Sequence, residues 1–191
     1  MKTSSAADAY VALIHYPVAD KDGGTIASAV TNLDLHDIAR TAKTYGLAGY
    51  YVVTPLVDQQ AMVKRIVSHW SGGVAAFRNP ARKQALDLIR IMDSVAGVQA
   101  DIRRWTGREP ITVVTSARRK PGAIGFQDMR ARLKEEGVFL FLFGTAWGLA
   151  EEMIQAADII LEPVKGPTEY NHLSVRSAAS IVFDRLMGEN R

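Results

Sequence analysis

Cysteine is absent from the chain, which excludes disulfides, thiolate nucleophiles and cysteine-held metals and leads us to expect a reducing compartment, the cytoplasm. No Gly-Lys pair occurs, so the GxxxxGK[ST] phosphate loop is missing, and no GxGxxG follows the first apolar run. The four histidines, His15, His36, His69 and His172, have no metal-ligand spacing, so no metal is expected. A GxSxG nucleophile elbow is lacking too. No apolar run approaches the roughly 20 residues needed to cross a bilayer, and a membrane role is not expected. The opening Met1 to Asp8 is small and polar, unlike a signal peptide, and residues 1–8 are expected to be flexible. Charge of one sign is scarce: 23 Lys and Arg stand against 20 Asp and Glu, a net +3. Such a balance permits nucleic-acid binding without arguing for it.

What is present is an ordinary globular composition, 48% hydrophobic and 23% charged over 191 residues, enough for one core and a single domain over 1–191. The cations fall in groups: Arg78, Arg82 and Lys83; Arg103, Arg104 and Arg108; Arg118, Arg119 and Lys120; Arg130, Arg132 and Lys134. Most read as solvated helix faces. Arg118-Arg119-Lys120 differs, because it follows a strand directly and precedes Pro121-Gly122, a place suited to holding a substrate phosphate.

Strand-like and helix-like runs alternate along the chain. Tyr10–Tyr16 reads as a strand, Leu33–Tyr45 as a helix, Gly49–Val53 as a strand and Val57–Trp70 as a helix with Val57, Ala61, Ile66, Val67 and Trp70 inward. Val74–Phe77 reads as a short strand, and Pro80 starts a helix that runs to Trp105 with Gly97 as a possible break. Ile111–Thr115 is a strand and Phe126–Glu136 a charged helix. Val138–Phe143 and Asp158–Leu161 are apolar without alternation, the mark of strands covered on both faces. A final helix is expected from about Tyr170 to Met187. The expectation is an α/β domain with a mostly parallel sheet and helices on both faces.

Two loops follow buried strands near the end, at 143–149 and 162–174, where parallel sheets bind ligands. Gly144 and Gly148 let the backbone turn sharply and approach a ligand, although an ordinary strand-to-helix connection also uses such glycines. Free amides at the start of the last helix can hold a carboxylate; Thr168 or Asn171 can equally cap them.

FLFGTAWGL, followed by a strand and then YNHLSVRSA, resembles the carboxyl-terminal pattern of the SPOUT superfamily of S-adenosylmethionine-dependent RNA methyltransferases. LIHYPV and AVTNLDLHDIARTAKTYGLAGYYVVTP resemble a bacterial branch of it, so the resemblance covers nearly the whole chain. It implies a carboxyl-terminal trefoil knot, a homodimer whose cofactor and catalytic groups meet across the interface, and S-adenosylmethionine as cofactor. By position it implies one cofactor wall from Phe143, Gly144, Gly148 and Leu149, and another from Leu161, Glu162 and Pro163. Tyr170, Asn171, Leu173 and Ser174 would close the pocket, with Thr115 and Ser116 beside the methionine portion.

Asn32-Leu33-Asp34-Leu35-His36-Asp37-Ile38-Ala39-Arg40 is similar to the Asn and Arg-Thr-Ala element of ribose-methylating relatives. Here Asn32 and Arg40 are eight apart, wider than in those relatives, and Asp34 takes the nearer position. That departure leaves the accepting atom open. Methyl transfer needs reactants positioned and one proton handled. Asp34, His36 or Asp37 are candidate bases, and Arg40 a candidate phosphate or acceptor contact, with Asn32 beside the substrate. Asp34 and Asp37 also suit a helix amino terminus as dipole partners, and His36 suits packing. The expected function is methyl transfer from S-adenosylmethionine to tRNA or rRNA. The alternative is a non-catalytic RNA- or ribosome-binding protein that keeps the pocket.

Overall fold

The protein is described here by a computed structural model covering residues 7–189; the expectation of flexibility for residues 1–6 lies outside the described residues. Ala7 and Asp8 are already tied down, their N–H groups donating to Leu133 O and Gly137 O. The element order is β1 (Asp8–Ile14), β2 (Val18–Ala19), β3 (Thr25–Ile26), α1 (Asn32–Thr44), β4 (Gly49–Val53), α2 (Val57–Ser71), α3 (Gly73–Arg78) and α4 (Pro80–Leu86). There follow β5 (Ile89–Met92), α5 (Val95–Thr106), β6 (Ile111–Val114), α6 (Phe126–Leu133), β7 (Val138–Gly144), α7 (Glu151–Gln155), β8 (Ile159–Ile160) and α8 (Val175–Met187).

Six strands form one sheet in the order β5-β4-β1-β7-β6-β8, every pairing parallel. The period of two divides each central strand between two cores. Ala9, Val11 and Leu13 of β1 and Phe139, Phe141 and Phe143 of β7 face a core closed by α1, α4, α6 and α8. Tyr10, Ala12 and Ile14, with Val138, Leu140 and Leu142, face a second core under α5 and α7. This double coverage is why β1 and β7 read as unbroken apolar runs. Phe183 of α8 meets Phe141 edge-on, ring centroids 5.4 Å apart, anchoring α8 on the sheet.

Several expected elements are corrected. Val74–Phe77 is helical within α3, and Phe77 is 88% exposed, so its apolar character reports a surface side chain rather than a strand. The long helix from Pro80 is instead α4, β5 and α5. Asp87 ends α4, and the Ser94 side chain accepts from Gly97 N–H to start α5. In α2 it is Val63 that is buried, while Val57 and Ala61 are exposed. The last helix begins at Val175, capped by Ser174, five residues later than expected, so Tyr170–Ser174 is loop. Unforeseen was the small antiparallel β2–β3 hairpin. Its turn forms because Asp20 Oδ1 accepts from Asp22 N–H and Gly24 N–H at 2.8 and 2.7 Å.

Candidate functional site

The strand order reverses between β1 and β7, the place where a parallel sheet leaves a crevice at its carboxyl ends. A cavity of about 720 Å³ lies there, within the roughly 300–1,000 Å³ usual for small-molecule sites. Its first wall is the turn that leaves β7. Thr145 N–H and Oγ1–H both donate to Ile14 O, at 3.2 and 2.9 Å. Gly148 N–H returns to Thr145 O at 2.9 Å. The turn is then zipped to β2: Ala19 N–H donates to Gly148 O and Trp147 N–H to Ala19 O. It holds Gly148 at φ 107° and the non-glycine Ala146 at φ 50°. A left-handed alanine costs on the order of 1 kcal/mol, and such strain tends to collect at functional sites.

The second wall is Glu162. Its N–H donates to Ile124 O, and its Oε1 accepts from Phe126 N–H at 3.0 Å. The carboxylate thereby caps α6, whose N-cap Gly125 has no side chain to do so. The third wall comes from 171–176, where Asn171 Nδ2 donates to Ala117 O at 2.7 Å. Asn171 therefore ties two loops together rather than capping α8.

The fourth wall joins α1 to α8. Thr31 caps α1 through Asp34 N–H, and its hydroxyl donates to Asp34 Oδ2 at 2.6 Å. Arg176 meets Asp34 Oδ1 at 3.3 Å and Asp37 Oδ2 at 3.4 Å. Asp34 is buried and lines the cavity. A buried carboxylate is tolerated because both oxygens are engaged. Six residues on, at 3.6 per turn, Arg40 falls on another side of the helix. It is exposed and stands with His36, whose pKa is lowered by burial and by the Arg82 and Arg40 charges.

Of the residues picked from sequence, Thr115, Ser116, Phe143, Gly144, Gly148, Leu149, Glu162, Asn171, Leu173 and Ser174 line the cavity. Asp34, Arg118 and Lys120 do so as well. Leu161 and Pro163 are buried behind the wall, and Tyr170 is 75% exposed against His172. Asn32, Asp37, Arg40 and Arg119 stand outside the cavity of this chain. Lys120 is paired with Glu151 at 2.6 Å. Sequence reasoning missed Arg176 and the 19–31 segment, whose Lys21, Gly24, Ser28 and Thr31 also line the cavity. One signal for the latter was its length, since a strand-to-helix connection usually takes about 2–6 residues.

The walls suit S-adenosylmethionine. Phe143, Leu149, Val164 and Leu173 offer apolar cover for a purine, Thr115 and Ser116 offer hydroxyls, and Asp34, Glu151, Glu152 and Glu162 complement a cation. Around Gly148 the space where a Cβ would stand is open to 4 Å.

Comparison with known proteins agrees. Residues 8–188 match the family of SAM-dependent RNA methyltransferases. The chain is 44% identical over 180 residues to a tRNA (guanine-N(1)-)-methyltransferase of Oleidesulfovibrio alaskensis, covering 94% of this chain and 42% of that protein. It is 46% identical to the one of Nitratidesulfovibrio vulgaris, with the same 94% and 42% coverage. Thus it spans less than half the length of either. A protein of Aquifex aeolicus without an assigned function is 38% identical, over 95% of this chain and 89% of that one. Among solved structures, a methylase family protein from Neisseria gonorrhoeae superposes with a TM-score of 0.63 at 17% identity, covering 100% of this chain and 86% of that one. The A. aeolicus TrmH/SpoU tRNA modifying enzyme gives 0.54 at 14% identity, over 97% and 76% of the two chains. An AdoMet-bound rRNA methyltransferase from Sinorhizobium meliloti gives 0.52 at 17%, over 95% and 56%. At such identities the structures share the fold alone, an α/β domain with a mostly parallel sheet as expected. With the family matched across residues 8–188, the chain belongs to the SAM-dependent RNA methyltransferase family.

Proposed function

We propose that the protein methylates a tRNA nucleotide with S-adenosylmethionine bound in the β1–β6–β7 cavity. The observation that carries the reading is a buried carboxylate, Asp34, in the wall of that cavity. Both named relatives act on tRNA and are longer than this chain, which favours tRNA over rRNA. Bound, the cofactor supplies an electrophilic methyl group. Thr115, Ser116, Glu162 and the 143–149 turn hold it and keep water out. Asp34, oriented by Thr31 and Arg176, accepts the proton that the attacking nitrogen or oxygen must lose. Lys21, Arg118 and Arg119 at the rim take RNA phosphates.

The functional unit of this reading is a cytoplasmic homodimer. Arg40 and Asn32 stand outside their own cavity, so a second copy must bring them to a cofactor. The passage of 162–174 beside the 115–125 loop, marked by the Glu162–Ile124 and Asn171–Ala117 bonds, supports a trefoil knot. Incubation with labelled S-adenosylmethionine and total tRNA or rRNA, followed by nucleoside mass spectrometry, tests the substrate. Label in rRNA alone overturns the tRNA reading. RNA binding with no transfer to either leaves the scaffold reading. For the dimer, mixed subunits bearing Asp34→Asn and Arg40→Ala should regain transfer that neither variant has alone; no recovery counts against sites shared between subunits.

A further inference from the structure

His15 is fully buried, yet it is not part of the cavity wall. Its ring Nδ1 stands 3.0 Å from Ser28 Oγ, and Ser28 Oγ bonds in turn to Thr145 Oγ1. Both hydroxyls line the cavity. The directions follow from the carbonyl at one end of the chain. Ile14 O, a carbonyl, accepts only, so Thr145 Oγ1 spends its one proton there at 2.9 Å. Thr145 must then accept from Ser28, which uses Ser28's only proton. Ser28 Oγ must accept from His15, so the neutral ring carries its proton on Nδ1. Nε2 is left as a buried lone pair without a partner among the described residues.

The chain closes on itself, running from His15 through Ser28 and Thr145 back to Ile14, its neighbour. Ser28 N–H donates to His15 O at 2.8 Å and Thr145 N–H to Ile14 O at 3.2 Å, so backbone and side chains pin the same two loops. The geometry assigns His15 as the positioning residue of the cofactor site: its Nδ1–H fixes Ser28 and Thr145 and so holds the 25–31 segment and the strained 145–148 turn against one strand end. A leucine would pack there without an orphaned nitrogen, so burial alone does not account for a histidine. Depression of its pKa to about 4 by burial keeps the ring neutral at physiological pH, as a single-proton donor requires.

The assignment rests on reading the cavity as the S-adenosylmethionine site, and its test separates the two. Long-range proton–nitrogen spectra of the whole protein should show His15 in the Nδ1–H form; the Nε2–H form overturns the chain whatever the cavity binds. Calorimetry with S-adenosylhomocysteine then compares three variants, each checked for a cooperative melt. His15→Asn, whose amide reaches the place of Nδ1, should stay within about threefold of wild type. His15→Gln, reaching the place of Nε2, and His15→Leu should lose roughly tenfold, the worth of one hydrogen bond. A folded His15→Leu protein that binds as wild type does overturns the assignment. Should wild type bind no S-adenosylhomocysteine, the cofactor reading fails, and the tautomer alone decides the hydrogen-bond chain. Adding Thr145→Val to His15→Leu should cost little more than either change, since both break one chain; fully additive losses refute it.

Discussion

One methyl group added at Gly144 meets the 145–149 turn where it has no room. A Cβ there would lie 2.3 Å from Leu149 N, 2.5 Å from Gly148 C and 3.0 Å from Gly148 Cα. All three are backbone atoms, so no side chain can swing aside. Relief to a carbon–nitrogen contact of about 3.4 Å demands that the 148–149 backbone retreat by roughly 1 Å. That backbone is bonded to β2 through Ala19 N–H to Gly148 O at 2.9 Å and Trp147 N–H to Ala19 O at 3.3 Å. Losing two such bonds costs about 1–3 kcal/mol. A 1 Å displacement of a positioning group costs on the order of a hundredfold in catalysis. Gly144→Ala should therefore lower the melting temperature and weaken S-adenosylhomocysteine binding at least tenfold, read by thermal denaturation and calorimetry. Gly148→Ala is the contrast: its Cβ meets nothing within 4 Å, and only the φ of +107° is strained. It should bind better than Gly144→Ala. A Gly144→Ala protein with wild-type affinity and melting temperature would refute the steric reasoning.

Asp34→Asn keeps the shape of the wall but removes the proton acceptor, so single-turnover transfer should fall by about 10²–10⁴ while S-adenosylhomocysteine affinity holds; unchanged transfer would remove Asp34 from the chemistry. Phe183→Ala empties the space against Phe141 and Phe143 and should cost about 3–5 kcal/mol in urea denaturation. His15 titrates near 6.5 unfolded and about 4 folded, so between those values the unfolded chain binds the extra proton. Stability should thus be level above pH 6.5 from this group and fall by about 3 kcal/mol as pH drops to 4. Burial dominates the shift, with the Asp34 charge opposing it. His15→Asn, with no group to titrate there, should show a shallower fall than wild type; parallel curves would discount it.

The sheet was legible wherever a strand is covered on both faces, because β1 and β7 then leave apolar runs too short for helices and lacking alternation. β5 was not. Ile89 and Ile91 alternate with Arg90 and Met92, and with Leu86 and Leu88 upstream the same residues also satisfy a helical stripe. Periodicity alone cannot choose there. Tyr170–Ser174 contains no helix breaker, yet it stays a loop because Asn171 is held by Ala117, 54 residues away. The turn after β7 was readable from glycines after a buried strand. Arg176 was not, since its partner Asp34 is 142 residues distant and only the packing of α8 beside α1 brings them together. That packing is itself periodic: Asp34 and Asp37 to Arg176, Thr41 to Ser180, and Tyr45 to Asp184 follow one face of each helix.

Four polar side chains are buried among the described residues: His15, Asp34, Thr54 and Thr112. The two threonines serve local structure. Thr112 bonds Asp158, joining β6 to the start of β8, and Thr54 accepts from Leu56 N–H at the mouth of α2. Neither arrangement buries a charge or leaves an unpaired atom. His15 and Asp34 do, one leaving a nitrogen orphaned and the other a carboxylate buried, and apolar replacements of similar size commonly match or exceed such groups in stability. Asp34 lines the cavity and His15 is bonded to Ser28 in its wall, and Ala146, the one non-glycine residue with positive φ among the described residues, lines it too. Three unrelated departures from what packing favours thus meet at one crevice, while the other buried side chains among the described residues are apolar or hydrogen-bonded. A fold maintained for stability alone would scatter or remove them, so their convergence supports reading this cavity as the functional site.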